Sequence, residues 1–99
     1  MNRIAFLESV SGIKYPEMLV NFFDHFVALK QIVEDSGKVN VVYYDDKCIS
    51  FCITFINPES RNFALSTINS IGGTIIVYGR PIMIGVEVLT DSEIKINLQ

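Results

Sequence analysis

Two spacings of apolar residues alternate along this chain, and their order limits the fold more than any other feature. From Pro16 onward, apolar residues recur every three or four positions, which predicts one long amphipathic helix that ends near Gly37. A second helix begins at Asn57-Pro58 and ends at Gly72-Gly73. Runs rich in β-branched and aromatic residues predict strands at Arg3 to Val10, Val39 to Tyr44, Cys48 to Phe55 and Ile82 to Val88. The resulting order is β-α-β-β-α-β, as in the ferredoxin-like arrangement.

This order predicts an α+β fold: a ferredoxin-like, four-stranded antiparallel sheet with two helices on one face. With 99 residues, the chain has the length of one domain. We expect this domain to span residues 1–90, with a small extra strand at Ile75 to Tyr78. Residues 91–99 are predicted to form a C-terminal tail or the start of a linker.

Composition and charge narrow the function classes. Hydrophobic residues make up 49% of the chain and charged residues 19%, which suits a folded core with apolar residues left for the surface. The formal net charge of −3 disfavours strong nucleic-acid binding, which depends on Lys and Arg at phosphates. Neither a membrane-spanning stretch nor a secretory signal is visible, so we expect an intracellular protein and no membrane partner. Cytoplasm, nucleus and perinuclear granule are not distinguished.

Three segments resemble the RNA recognition motif (RRM) family. Ala5 to Val10 matches the family's strand-one hexamer, and Cys48 to Phe55 matches its octamer. Gly79-Arg80-Pro81 resembles the entry into its fourth strand. Helix residues that follow the family pattern are Leu19, Phe22, Phe23, Phe26, Ala64, Leu65 and Ile68. The resemblance implies the RRM fold and places the open sheet face as the family's RNA-binding surface.

The chain departs from the family at the positions that stack bases. RRM domains use two or three sheet aromatics for stacking. Phe6 keeps the hexamer aromatic, but Ser50 and Cys52 replace the two octamer aromatics. Strand alternation places the candidate RNA-binding residues on one face together with Glu8, Asn40, Val42 and Thr54; the candidates are Phe6, Tyr44, Ser50, Cys52 and Met83. One retained aromatic contributes about 1–3 kcal/mol of stacking, with Tyr44 as a second platform if the hairpin turn has three residues.

The first helix carries more apolar residues than one helix face can hold. Two interpretations stay open. The surplus either thickens the core contact, or it forms a protein interface whose candidate residues are Val20, Phe23, Val27 and Phe63.

Metal and catalytic sites are not predicted. Cys48 and Cys52 lie four residues apart on a strand, roughly 13 Å along it, which is too far for both to bind one ion. His25 stands mid-helix beside Asp24 without a nucleophile at a motif spacing, so a structural role is expected. A third function class is a ferredoxin-like enzyme or small-molecule sensor, such as an acylphosphatase or an amino-acid-binding regulatory domain. The arginine loop of an acylphosphatase is not apparent in the sequence. We expect no enzyme activity and no cofactor.

These observations predict a protein–protein interaction module that dimerises or scaffolds within a ribonucleoprotein or small-RNA processing complex. The partner would be another protein, including another RRM subunit in a homo- or hetero-oligomer. The alternative is weak or indirect single-stranded RNA binding through the sheet face. The whole chain also resembles the N-terminal RRM of Tudor-domain factors in piRNA biogenesis, which implies a role in RNA-mediated gene silencing.

Overall fold

The computed structural model describes residues 16–99. These residues form helices α1 (Glu17–His25), α2 (Val27–Ser36) and α3 (Pro58–Asn69), and strands β1 (Gly37–Tyr44), β2 (Ile49–Phe55), β3 (Thr74–Val77), β4 (Arg80–Thr90) and β5 (Glu93–Leu98). The predicted α+β class is confirmed. The described part of the chain has five strands and three helices, where four strands and two helices were expected. The predicted first strand, Arg3 to Val10, lies outside the described residues.

The C-terminal segment supplies the middle strand of the sheet. The strands lie in the order β1-β2-β5-β4-β3, and each neighbouring pair is antiparallel. In β5, Ile94, Ile96 and Leu98 alternate with polar residues and are fully buried. The expected tail at 91–99 therefore contains a strand, and the sheet does not have the predicted four-stranded ferredoxin-like order.

The predicted long first helix is broken at Phe26. The backbone of Phe26 leaves the helical region (φ −121°, ψ 66°), although its N–H still donates to the carbonyl oxygens of Phe22 and Phe23. At this break the Phe26 ring is 5% exposed and meets Phe22 edge-on at 5.8 Å between centroids. Burial of this large aromatic side chain away from water contributes to the core.

Helix α2 passes into β1 without a loop, and Gly37 makes this possible. A Cβ on Gly37 would lie 3.1 Å from Cγ2 of Ile53 and 3.2 Å from Cα of Val33. A larger residue would push the end of the helix away from β2. The predicted stop at Gly37 is thus confirmed, and its cause is close packing.

All three helices pack on one face of the sheet. Phe22 and Phe23 of α1 contact Phe51 of β2, with ring centroids 6.1 and 5.8 Å apart. Ile49, Phe51, Ile53 and Phe55 of β2, which alternate with the predicted open-face residues, are buried. Helix α3 begins as predicted, and the Asn57 side chain accepts a hydrogen bond from the Ser60 N–H at 2.8 Å. The described helices leave the opposite face of the sheet uncovered.

Candidate functional site

The face of the sheet turned away from the helices is called the open face below. Cross-strand pairing places its residues in rows, because directly paired residues point to the same side. One row joins Asn40, Cys52, Lys95 and Glu87 across four strands. The remaining members in the described residues are Lys38, Tyr43, Ser50, Thr54, Thr74, Ile76, Pro81, Met83, Gly85, Thr90, Glu93 and Asn97.

Hydrogen bonds between side chains tie the middle of the open face together. The Ser50 hydroxyl donates to Oδ1 of Asn97 at 2.5 Å, and the Thr54 hydroxyl donates to Oε2 of Glu93 at 3.0 Å. Both bonds join β2 to β5. These polar groups satisfy each other, so this part of the open face holds the sheet together and offers few unpaired groups to a ligand.

The candidate RNA-binding residues are only partly brought together. Ser50, Cys52 and Met83 lie on the open face as predicted, and Phe6 lies outside the described residues. A bulge between Val41 and Tyr43 pairs Tyr43 with Ser50 and Tyr44 with the buried Ile49. The bulge therefore places Tyr43, which is 53% exposed, on the open face opposite Ser50. Tyr44, the predicted candidate, is paired with a residue of the other face and is not part of the open face.

The turn between β1 and β2 is organised by Asp45. Its Oδ1 accepts hydrogen bonds from the N–H groups of Lys47 (2.8 Å) and Cys48 (2.9 Å), and its Oδ2 accepts from the Tyr43 hydroxyl (2.8 Å). These donors, the two backbone N–H groups first, lower the pKa of Asp45 to about 2. The same hydroxyl bond raises the pKa of Tyr43. A phosphate near Tyr43 would meet a carboxylate.

The open face carries balanced charge. Lys38 and Lys95 are its basic residues in the described part of the chain, and Glu87 and Glu93 are its acidic residues. Lys95 is paired directly with Glu87 across the strands. Two amines beside two carboxylates give no net attraction for a polyanion.

Neither cysteine has the properties of a reactive thiol. Desolvation raises the pKa of Cys48 and of Cys52, and nearby carboxylates, Asp45 and Glu93 respectively, raise them further. Both thiols are therefore protonated near neutral pH, which disfavours nucleophilic and metal-binding roles. In residues 16–99, no group of three His, Cys, Asp or Glu side chains is placed to hold a metal ion.

The candidate protein-interface residues separate into two pairs. Val20 and Phe23 are 7% and 1% exposed and belong to the core, so they do not present a surface. Val27 and Phe63 are each 64% exposed. The surplus of apolar residues on the predicted first helix is thus divided: most of them are buried in the core, and Val27 is exposed.

Among the described residues, two grooves open on the helical side of the sheet. The first, of about 300 Å³, lies between α1 and the β3–β4 hairpin, near Tyr78. Tyr78 has a positive φ of 50° in the hairpin turn, and its ring meets that of His25 edge-on at 4.6 Å. The second, of about 290 Å³ and here called the α2–α3 groove, lies between the end of α2 and the start of α3; it is lined by Ile32, Asp35, Ser36, Asn57, Glu59, Ser60 and Phe63.

Sequence reasoning missed several residues of the open face, among them the three that β5 contributes. Glu93, Lys95 and Asn97 of β5 lie in the middle of the open face. The signal for them was the alternation of polar and branched apolar residues over six positions, which is typical of a half-buried strand.

Comparisons with known proteins add no assignment. The chain matches no protein-family model, no curated protein and no solved structure. In the described part of the chain, no helix is long and apolar enough to cross a bilayer. The resemblance to the RRM family therefore stays a prediction, and the function has to be inferred from the geometry.

Proposed function

We propose that this domain is a protein–protein interaction module, acting by dimerisation or as a scaffold. The observation that carries the proposal is the amount of apolar surface left after the core is formed. Eleven large apolar side chains in the described residues are 41–75% exposed. Single exposed apolar residues are ordinary, but so many on a domain this small favour burial against a partner.

The charge distribution supports protein over RNA as the partner. The chain has a formal net charge of −3, and the described open face has as many carboxylates as amines. Tyr43 is the exposed aromatic on the described open face, and its hydroxyl is bonded to the Asp45 carboxylate. Weak single-stranded RNA binding on Tyr43 is the second candidate, since one stacked base contributes about 1–3 kcal/mol.

The biological setting is part of the proposal. The RRM resemblance favours a ribonucleoprotein or small-RNA processing complex, and an intracellular one. In the described residues, the antiparallel sheet with helices on one face supports a relation to the RRM family. The central position of β5 counts against a simple match, because a C-terminal strand fills the middle of the sheet.

An RNA titration decides between the two candidate functions. Randomised single-stranded RNA carrying a fluorophore is titrated with the pure domain at low salt, and its anisotropy is followed. The proposal predicts a flat curve for the native domain and for the variants Tyr43→Ala and Phe6→Ala. Saturable micromolar binding that weakens with salt and with either substitution would make RNA binding the function.

A further inference from the structure

The α2–α3 groove combines an apolar wall with charges of one sign. Its apolar residues are Phe63, 64% exposed, and Ile32, which is partly buried and packs against the core. The backbone N–H of Ile56 donates to the Ser36 carbonyl at 2.9 Å, so the 75% exposed Ile56 is held beside the groove. A bulky apolar side chain placed here would cover surface that water now contacts.

The charged residues of the groove lining, within residues 16–99, are both acidic: Asp35 at the end of α2 and Glu59 at the start of α3. The last turn of α2 contains no basic residue, and carboxylates at this end add to the negative end of the helix dipole. Glu34, the neighbouring acid, is paired with Lys30 at 3.7 Å, whereas Asp35 is not part of that pair. The first turn of α3 offsets part of the Glu59 charge, so Asp35 contributes more of the negative potential.

We infer that the α2–α3 groove binds a basic segment of a partner protein, in which Lys or Arg adjoins a bulky apolar residue. The apolar residue packs on Phe63 and Ile32, and the cation lies near Asp35. This inference rests on the proposed function and specifies the partner's chemistry. Nucleic acid does not fit the groove, because its phosphates would approach two carboxylates.

Charge complementarity also disfavours a second copy of this chain as the occupant. The chain has eight basic and eleven acidic residues, and the basic ones are scattered along it without a run. Because the chain is acidic overall, a segment from a different, basic protein complements the two carboxylates of the groove better than a second copy does.

The test uses three short synthetic peptides in which Trp, Phe or Leu is flanked by arginines. Binding to the ¹⁵N-labelled domain is followed by NMR at low salt. We expect at least one peptide to shift the resonances of Ile32, Asp35, Ser60 and Phe63 in a saturable way. Replacement of its apolar residue by Ala, or of its arginines by Glu, is expected to weaken binding about tenfold or more.

Two matched variants locate the site. Val27 and Phe63 are equally exposed, but Val27 does not line the groove. Phe63→Gln and Asp35→Asn are each expected to weaken binding about tenfold, and Val27→Gln to leave it unchanged. Because both apolar side chains are largely exposed, the substitutions preserve the fold, which the dispersion of the NMR spectrum verifies.

Failure of this inference differs from failure of the proposed function. Absence of binding by all three peptides, or binding that Phe63→Gln and Asp35→Asn do not weaken, overturns the assignment of the groove. If the domain then still associates with protein partners without RNA, the proposed function stands and another surface carries it. If the peptides fail and the domain binds RNA, both are wrong.

Discussion

Replacement of Ile96 by Ala tests whether the C-terminal segment holds the sheet together. Ile96 is fully buried in β5, paired with Phe51 on one side and Val86 on the other. The substitution removes three buried carbons, which at about 0.8 kcal/mol each is about 2.4 kcal/mol of transfer free energy. The cavity left in the core raises the loss of unfolding free energy to about 3–4 kcal/mol.

Urea denaturation followed by far-UV circular dichroism measures this loss. With a slope of about 1.5 kcal/mol/M for a small domain, the midpoint is expected to fall by roughly 2 M. Lys95→Thr, on the same strand but on the open face, is the control and is expected to change stability by less than about 1 kcal/mol. A loss below about 1 kcal/mol for Ile96→Ala would refute the central strand and restore the expected tail at 91–99.

Three further predictions concern the turns and the thiols. The folded pKa of Asp45 is about 2, below its ordinary 3.8, so the stability that Asp45 adds over Asp45→Ala is full above about pH 4 and disappears toward pH 2. Thermal melts of both proteins across this pH range measure the difference, and a difference that does not change with pH would contradict the turn geometry. Gly79→Ala is expected to lower the free energy of unfolding by about 1 kcal/mol because Gly79 has φ +75°. Gly85→Ala is expected to leave it unchanged, since a Cβ there would lie no closer than 3.8 Å to another residue, and equal urea midpoints for the two variants would refute this. Iodoacetamide should alkylate Cys52 of the folded domain more slowly near neutral pH than in urea, since desolvation raises its pKa; equal rates by mass spectrometry would show an accessible thiolate.

Element types were predictable from the sequence where the periodicity was strong. Ile49, Phe51, Ile53 and Phe55 are inward-facing and buried, as their alternation predicts. Asn57 caps α3, as a cap residue before a proline predicts. In both cases neighbouring residues carry the signal, so no knowledge of distant contacts was needed.

Tertiary contacts decided the features that were missed. The backbone leaves the helical region at Phe26, although the apolar spacing of three and four residues continues through this position. The bulge before Tyr43 places Tyr43, and not Tyr44, on the open face. Strand periodicity in the sequence does not predict such a one-residue shift. The strand Glu93–Leu98 was missed because six alternating residues are a short signal, and its burial depends on pairing with β2, some forty residues earlier in the sequence.

Of the candidate interface residues, the exposed ones were predictable from local periodicity, and the buried ones depend on tertiary contacts. Exposure of Phe63 follows from its place on α3, where Ala64 and Ile68 form the buried side. Burial of Val20 and Phe23 follows from how α1 packs on the sheet, which periodicity alone does not fix.

Capture of partners from cell lysate with and without ribonuclease tests the protein-binding claim most directly. The pure domain is immobilised, bare resin serves as the control, and bound proteins are quantified by mass spectrometry. The account predicts that the same proteins are retained in equal amounts after ribonuclease treatment, because the contact is between proteins. Loss of those proteins on treatment, with RNA recovered from the untreated resin, would show that the domain acts through RNA.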